Sequence, residues 1–540
     1  MALMVFLHAC FAAVIAARAN VYATNLRVKH SIDNTAITPG TPVEISYILN
    51  ERASAGVTVQ ILSDTNVIKS FEFLSDDMGA TRGTNSVFWD GTDTNGNPAA
   101  EGIYSISINA RSDGYIGWTQ TTDDSNVGNY VFEPRGIAVN QNTNSPFYGR
   151  VFVGNAHANA GGTGNPGDNV GILKLNADGS GADEGIFTTG GYNWAGDFYS
   201  PWKIEVSADD KVYINDWNSL TLGIVLAFDQ ELSTTPLTVL DDDNWAKNGF
   251  ADMSGPAVSG TGIDTKVWMA DVSTNFGGSA GIIQYSLTTN GVVADGDMGQ
   301  TAVTTTNSDL DMAPYDVSLD RAGNIYIIQR VVDQGNLEQR VMRFPPFNGT
   351  NVLIDADWKV GSEDDTLINA YGVSANPGGT LVAVAVRGFG SNGQFQNGGT
   401  SVFNATNGEL VTAFRDGTNS CTDVAWDNVG NLYVTDAGES RWRAYSPPGT
   451  NQSTTISVPQ IQVYPQIIPP QFTTPTVNDT QDQLSLTLLG QSNVTYLVES
   501  TTDLATWTPM ATNYSSTLNE RPFTVPITND MMFFRASVAP

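Results

Sequence analysis

The chain has 540 residues and carries 25 Lys plus Arg against 56 Asp plus Glu, a net charge of -31, although only 15% of its residues are charged. A surface so poor in bases repels phosphate backbones and anionic lipid headgroups, which excludes nucleic-acid binding through a basic groove. Hydrophobic residues make up 41% and aromatics 10%, enough for ordered cores, and 53 Gly among abundant Asn, Asp, Ser and Thr favour turns over helices.

Leu3 to Ala17 is an apolar run too short to span a bilayer and followed by Ala17-Arg18-Ala19. It reads as a signal peptide over residues 1–19, although Met1 to Met4 lacks the usual Lys or Arg. The protein is therefore expected to be secreted, to the periplasm, cell surface or beyond. Cleavage removes Cys10 and leaves Cys421 alone, so no intrachain disulfide forms and large cores must supply stability. No other apolar segment is long enough to cross a membrane.

Residues 24–112 alternate apolar and polar positions in short runs such as Val43-Glu-Ile-Ser-Tyr-Ile-Leu49 and Ile103-Tyr-Ser-Ile-Ser-Ile108, the pattern of a β-sandwich. Positions 85–110, with Trp89, Asp90, Gly91, Asp93, Gly96, Asn97, Gly102 and Tyr104, resemble the Ig-like domain of the flagellar hook-capping family. Asp93 to Asn97 has calcium-loop spacing but no closing Glu, and Asn-Gly between strands reads better as a turn.

Between 130 and 449 the chain repeats. Runs beginning at Val151, Val212, Val267, Ile325, Leu381 and Leu432 are spaced by 61, 55, 58, 56 and 51 residues, each with a strand before it and most with one after. Six four-stranded units of this period predict a six-bladed β-propeller, because a lone blade cannot bury both faces and a closed ring can. The last unit, with Tyr433, Asp436, Gly438, Arg441 and Gly449, resembles an NHL repeat, and the fourth does so more loosely with Gln329 in place of the Asp. That resemblance, and the related gluconolactonase-like propellers, imply a fold shared by binding scaffolds and calcium-dependent enzymes.

Residues 450–476 hold five prolines and are expected to form an extended linker. Residues 477–540, with strand-like runs at Leu484–Leu488, Tyr496–Glu499, Phe523–Val525 and Phe533–Arg535, form a small β-sandwich. YLVESTTDLATWTPM and FFRAS resemble a C-terminal module of exported proteins from Verrucomicrobia-like bacteria, which implies an attachment role. The expected fold is all-β: an Ig-like sandwich, a six-bladed propeller and a small C-terminal sandwich.

Aligning the repeats brings distant residues to one mouth of the propeller channel, where the innermost strands begin. One column reads Gly136, Lys203, Asp252, Asp316, Gly372 and Asp423, and the column before it Arg135, Trp202, Ala251, Tyr315, Tyr371 and Thr422. Arg135, Trp202, Lys203, Asp252, Tyr315, Asp316, Tyr371 and Asp423 are thus candidates for ligand binding, with aromatic faces for a sugar and carboxylates for its hydroxyls. Asp252, Asp316 and Asp423 could hold Ca²⁺, or could simply bond nearby backbone N–H groups. A second column, Asn155, Asp216, Asp271, Gln329 and Asp436, reads as structural, ordering the loop that follows each run. Trp194, Trp202, Trp217 and Trp245 are either a stacking platform or packing between blades.

No G-x-S-x-G elbow, phosphate loop or dinucleotide fingerprint is present, and His157 lies in a Gly-rich loop. The leading expectation is an extracellular protein that binds a glycan or protein at the propeller mouth. The alternatives are a calcium-assisted propeller hydrolase or lyase, lactonase-like or carbohydrate-active, and a purely structural surface protein.

Overall fold

The computed structural model describes residues 20–196, 199–217, 223–241, 253–272, 281–329, 340–361, 367, 369–391, 394–396, 398–415, 420–464, 470–490, 495–511, 520–527 and 532–538. The expected signal peptide, 1–19, lies outside them. Among the described residues the elements are strands and short 3-10 turns, and no helix is long and apolar enough to cross a membrane.

The chain divides into two compact units, the larger holding Met1–Thr35, Pro42–Asn97 and Ile103–Gln462. Its first domain has two sheets. Ala23–Val28, Val43–Leu49 and Gly83–Trp89 form one, and Val57–Ser63 pairs with Asn66–Phe73 and Gly102–Tyr115 in the other. The alternating residues Val43, Ile45, Tyr47 and Leu49 are fully buried, as are Val57, Val59 and Ile61. Trp89 from one sheet meets Tyr104 from the other at 5.4 Å between ring centres. At Asp93 the side chain accepts N–H bonds from Asn95 and Asn97 and bonds the Asn97 amide, while Gly96 takes φ +82°. The residues with calcium-like spacing are thus spent on a turn.

The next region is a β-propeller, in which the described residues form six four-stranded antiparallel sheets. Their innermost strands are Pro134–Val139, Ile204–Val206, Met253–Ser259, Pro314–Leu319, Ala370–Ala375 and Cys421–Trp426. Each touches the next, and the sixth touches the first, so the ring is closed. The repeats recognised in the sequence are the second strands. They read as unbroken apolar runs because both faces are buried. In Ile325–Gln329, Ile325 and Ile327 enter the core shared with the third sheet, whereas Tyr326 and Ile328 enter the core shared with the fifth. A separate hydrophobic cluster fills each of the six spaces between neighbouring sheets.

The turns from first to second strand carry their own sequence logic. In the fourth sheet Asp320 accepts N–H bonds from Ala322 and Asn324 and bonds the Asn324 amide and the Tyr326 hydroxyl. Asp427, Asn431 and Tyr433 repeat this arrangement in the sixth sheet.

Two strands depart from the boundaries expected from sequence. The outermost strand of the sixth sheet is Thr119–Gln120, so chain preceding the first sheet closes the ring. Gly449–Ile456, expected from residue 450 on as the start of a linker, pairs along Gly102–Tyr115 and so adds a strand to the first domain. Its alternating half-buried and exposed residues suit an edge strand, and Thr455 Oγ1 donates to the Ala23 carbonyl.

The smaller unit holds Ala36–Thr41, Pro98–Gly102 and Val463–Pro540. Gln483–Leu489 pairs with Glu520–Pro526, and Tyr496–Thr501 lies between Thr508–Ala511 and Phe533–Val538. Leu488, Tyr496 and Val498 form its core, so the four runs expected as strands are strands.

Candidate functional site

The first residues of the innermost strands do not pair regularly. Between Pro314 and Asp316, Ala370 and Gly372, and Cys421 and Asp423 the register slips, leaving Tyr315, Tyr371 and Thr422 as extra residues, and the first strand slips over Arg135–Gly136. Such bulges bend the strand and re-aim the side chain. The bulged positions gather into an aromatic layer. Tyr315 and Tyr371 lie 5.0 Å apart, and Trp202 lies 6.2 and 6.0 Å from them, all in edge-on contact. Trp202 is fully buried and donates its indole N–H to Ser254 Oγ. Arg135, 2% exposed, pairs with Glu133 at 2.6 Å and stacks over Trp202.

Directly beneath lies an ionic layer. Lys203 Nζ reaches Asp423 Oδ1 at 2.7 Å, the Thr422 carbonyl at 3.0 Å and Asp316 Oδ2 at 3.3 Å. The second strut of each Asp crosses to a neighbouring sheet: Val373 N–H donates to Asp316 and Ile137 N–H to Asp423. The glycines of this column are required by that crowding. A Cβ on Gly372 would stand 2.6 Å from Asp423 Oδ1 and 2.8 Å from Lys203 Nζ, and one on Gly136 2.5 Å from the Trp202 carbonyl. Burial opposes the Lys203 charge, but Asp316 and Asp423 outweigh it and hold the ammonium above its ordinary value. Burial raises Asp316 against the pull of Lys203. Asp423 is pushed up to about 7 by burial, with Lys203 opposing and Asp316 adding to the rise.

From this ionic layer a cavity of about 570 Å³ runs along the innermost strands to the turns that follow them. Lys203, Asp316 and Asp423 line its inner end, and Thr143, Ala208, Gly260 and Arg321, all exposed, line its outer end. The channel is therefore plugged where its strands begin and open where they end. Glu205 lies two residues beyond Lys203, so it leaves the same side of the strand and lines the channel. Burial within the protein, then repulsion from Asp423 and Asp316, push its carboxyl up to about 8.

Residues 32–114 match the FlgD Ig-like domain. That match takes in strands of both sheets of the sandwich but leaves out Ala23–Val28 and Gly449–Ile456, the strand the chain adds after the propeller. Among curated proteins, none matches the chain. Similar solved structures include the Dos1 propeller, at 11% identity over 69% of this chain and 92% of that chain with a TM-score of 0.32. A glucose dehydrogenase covers 62% of this chain and 99% of its own at 9% identity and a TM-score of 0.37. The β-propeller domain of the Trilobed protease from Pyrococcus furiosus covers 80% and 96% at 8% identity and a TM-score of 0.25. Likenesses of this degree say nothing of activity.

Of the candidates raised by the repeat alignment, Lys203, Asp316 and Asp423 converge and face the channel, whereas Arg135, Trp202, Tyr315 and Tyr371 form the plug above them. Asp252 and Trp245 lie outside the described residues. Among the described residues no group of three His, Cys, Asp or Glu side chains is gathered to hold a metal ion, and the Lys203 ammonium stands between Asp316 and Asp423. Trp194 is buried between the first and second sheets, and Trp217 packs 5.0 Å from Trp202. The second column orders loops: Asp436 accepts N–H bonds from Ser420 and Gly438, and Asn155 donates to the carbonyls of His157, Gly167 and Asn169. Glu205 was not among the candidates. Its signal is the Lys203-Ile-Glu205 alternation, which a column-by-column alignment passes over.

Proposed function

We propose that the protein is an exported binding protein: a six-bladed, NHL-like propeller whose central channel receives the end of a hydroxylated ligand, such as a glycan. The observation that carries this reading is the asymmetry of the channel, closed by the aromatic and ionic layers at one end and open at the other onto a cavity of about 570 Å³. Ligand pockets commonly have volumes of about 300–1,000 Å³ and converge a few polar groups on their floor. Here the floor is Lys203, Asp316, Asp423 and Glu205, and the walls above it carry Ser207, Ser259, Gln141 and Asn142. The apolar segment over Leu3–Ala17 and the Ala17-Arg18-Ala19 site support export, and the flanking β domains suit a protein that works outside the cell.

The test is a printed glycan array probed with the wild-type protein and with Ala208→Trp, which places an indole at an exposed position of the channel rim. Binding by the wild type that the variant loses is expected. Binding equal in both would place the ligand elsewhere, and no binding to any glycan would remove the glycan reading. Export is tested separately by fractionating cells that express the full chain and sequencing the N-terminus of the released protein, expected to begin after Ala19.

A further inference from the structure

Glu205 is unlike the other charged groups of the channel. Lys203 donates to Asp423 Oδ1 and to the Thr422 carbonyl and pairs with Asp316 at 3.3 Å, and it makes no hydrogen bond to Glu205. Among the described residues its side chain has no hydrogen bond or ion pair, and its electrostatic neighbours are two carboxylates that repel it. Where they line the channel, the first, third and fifth sheets offer it no charge, since Ile137–Val139, Pro256, Val258–Gly260 and Val373–Ala375 carry no titratable side chain. Asp320 and Arg321 of the fourth sheet lie at the outer end.

We propose that the channel recognises a hydroxylated primary amine, an aminated sugar or sugar alcohol, whose ammonium is bonded by Glu205 above the Asp316–Lys203–Asp423 layer. This rests on the reading of the channel as the binding site and adds the class of ligand. The layer beneath has its one ammonium engaged by Asp316 and Asp423, so it offers an anionic ligand no free cation. A neutral sugar brings no countercharge and leaves Glu205 protonated, whereas a primary ammonium supplies both the charge and the N–H donors that an ionised Glu205 needs. The hydroxyls of such a ligand meet Ser207, Ser259 and Asn142 on the way to the mouth. With Glu205 held up to about 8, the free protein at pH 7 carries a proton there that the ammonium displaces. Binding therefore releases close to one proton at pH 7, and affinity rises with pH up to about 8.

The probes are glucamine and sorbitol, which differ only by an ammonium in place of a hydroxyl, titrated calorimetrically into the full chain at pH 7.5 and in buffers of different ionisation enthalpy. Glucamine is expected to bind at least about 10-fold more tightly than sorbitol, as a charge-assisted bond requires, with release of a proton. In Glu205→Gln the two are expected to bind alike and the proton release to vanish. Equal affinities in the wild type, or a preference that survives Glu205→Gln, overturns the amine assignment. If neither probe binds but glycan binding sensitive to Ala208→Trp persists, the amine assignment falls and the channel reading stands. If that sensitivity is also missing, both fall.

Discussion

Lys203→Met is the sharpest test of the ionic layer. Lys203 is 3% exposed, and its ammonium is the cation between Asp316 and Asp423, which are each 5% exposed. Methionine keeps an unbranched side chain one atom shorter and removes the charge, leaving two buried carboxylates facing each other. Removing one partner of a buried ionic cluster typically costs about 3–5 kcal/mol. The cost should depend on pH in a defined direction. Asp423 is already held up to about 7 in the folded protein, and loss of Lys203 takes away the group that opposes that rise. A carboxyl raised on folding contributes stability below its unfolded value near 3.8, and that contribution disappears as pH climbs through the folded value. The variant is therefore expected to lose the full amount at pH 8 and markedly less at pH 5.5, where one carboxyl takes up a proton. Urea unfolding followed by tryptophan fluorescence reads this well, because the Trp202 ring lies 5.6 Å from Lys203 Nζ. A loss below about 1 kcal/mol at pH 8, smaller than a single buried hydrogen bond to a charged group, would refute the reasoning, as would equal losses at both pH values.

Glu205→Gln should leave the melting temperature unchanged near pH 4.5 and raise it at pH 8, since burial pushes the carboxyl from its ordinary 4.5 up to about 8 and the stability tied to its proton disappears across that window. Differential scanning calorimetry from pH 4.5 to 8.5 checks this, and parallel curves for variant and wild type would contradict it. Gly372→Ala should destabilise by about 1–3 kcal/mol, the usual cost of overpacking, because the added methyl meets Asp423 Oδ1 at 2.6 Å and Lys203 Nζ at 2.8 Å. An unchanged urea midpoint for that variant would mean the layer is looser than described.

The all-β architecture was legible because burial on both faces turns each second strand into an apolar run, and because the ring forces those runs to recur. The convergence of Lys203, Asp316 and Asp423 was legible for the same reason, since equivalent positions on innermost strands meet at the axis. Which end of the channel opens was not. Tyr315 and Tyr371 close it only because each is an extra residue in a bulge, and nothing local in Pro314-Tyr-Asp316 or Ala370-Tyr-Gly372 announces a slipped register. Thr119–Gln120 escaped notice because two residues carry no period. Gly449–Ile456 escaped because a polar edge strand shares its composition with a linker, and its pairing with Gly102–Tyr115 is fixed by partners far away in sequence.

Ligand is expected to enter through the turns around Ala208 and Gly260 and to descend toward the Lys203–Asp316–Asp423 layer. A crystal structure of the full chain with the tightest ligand from the glycan array tests it most directly. Ligand density between Glu205 and the Ser207 and Ser259 turns is the predicted result; density on the opposite face, over Tyr199 and Trp217, would contradict it.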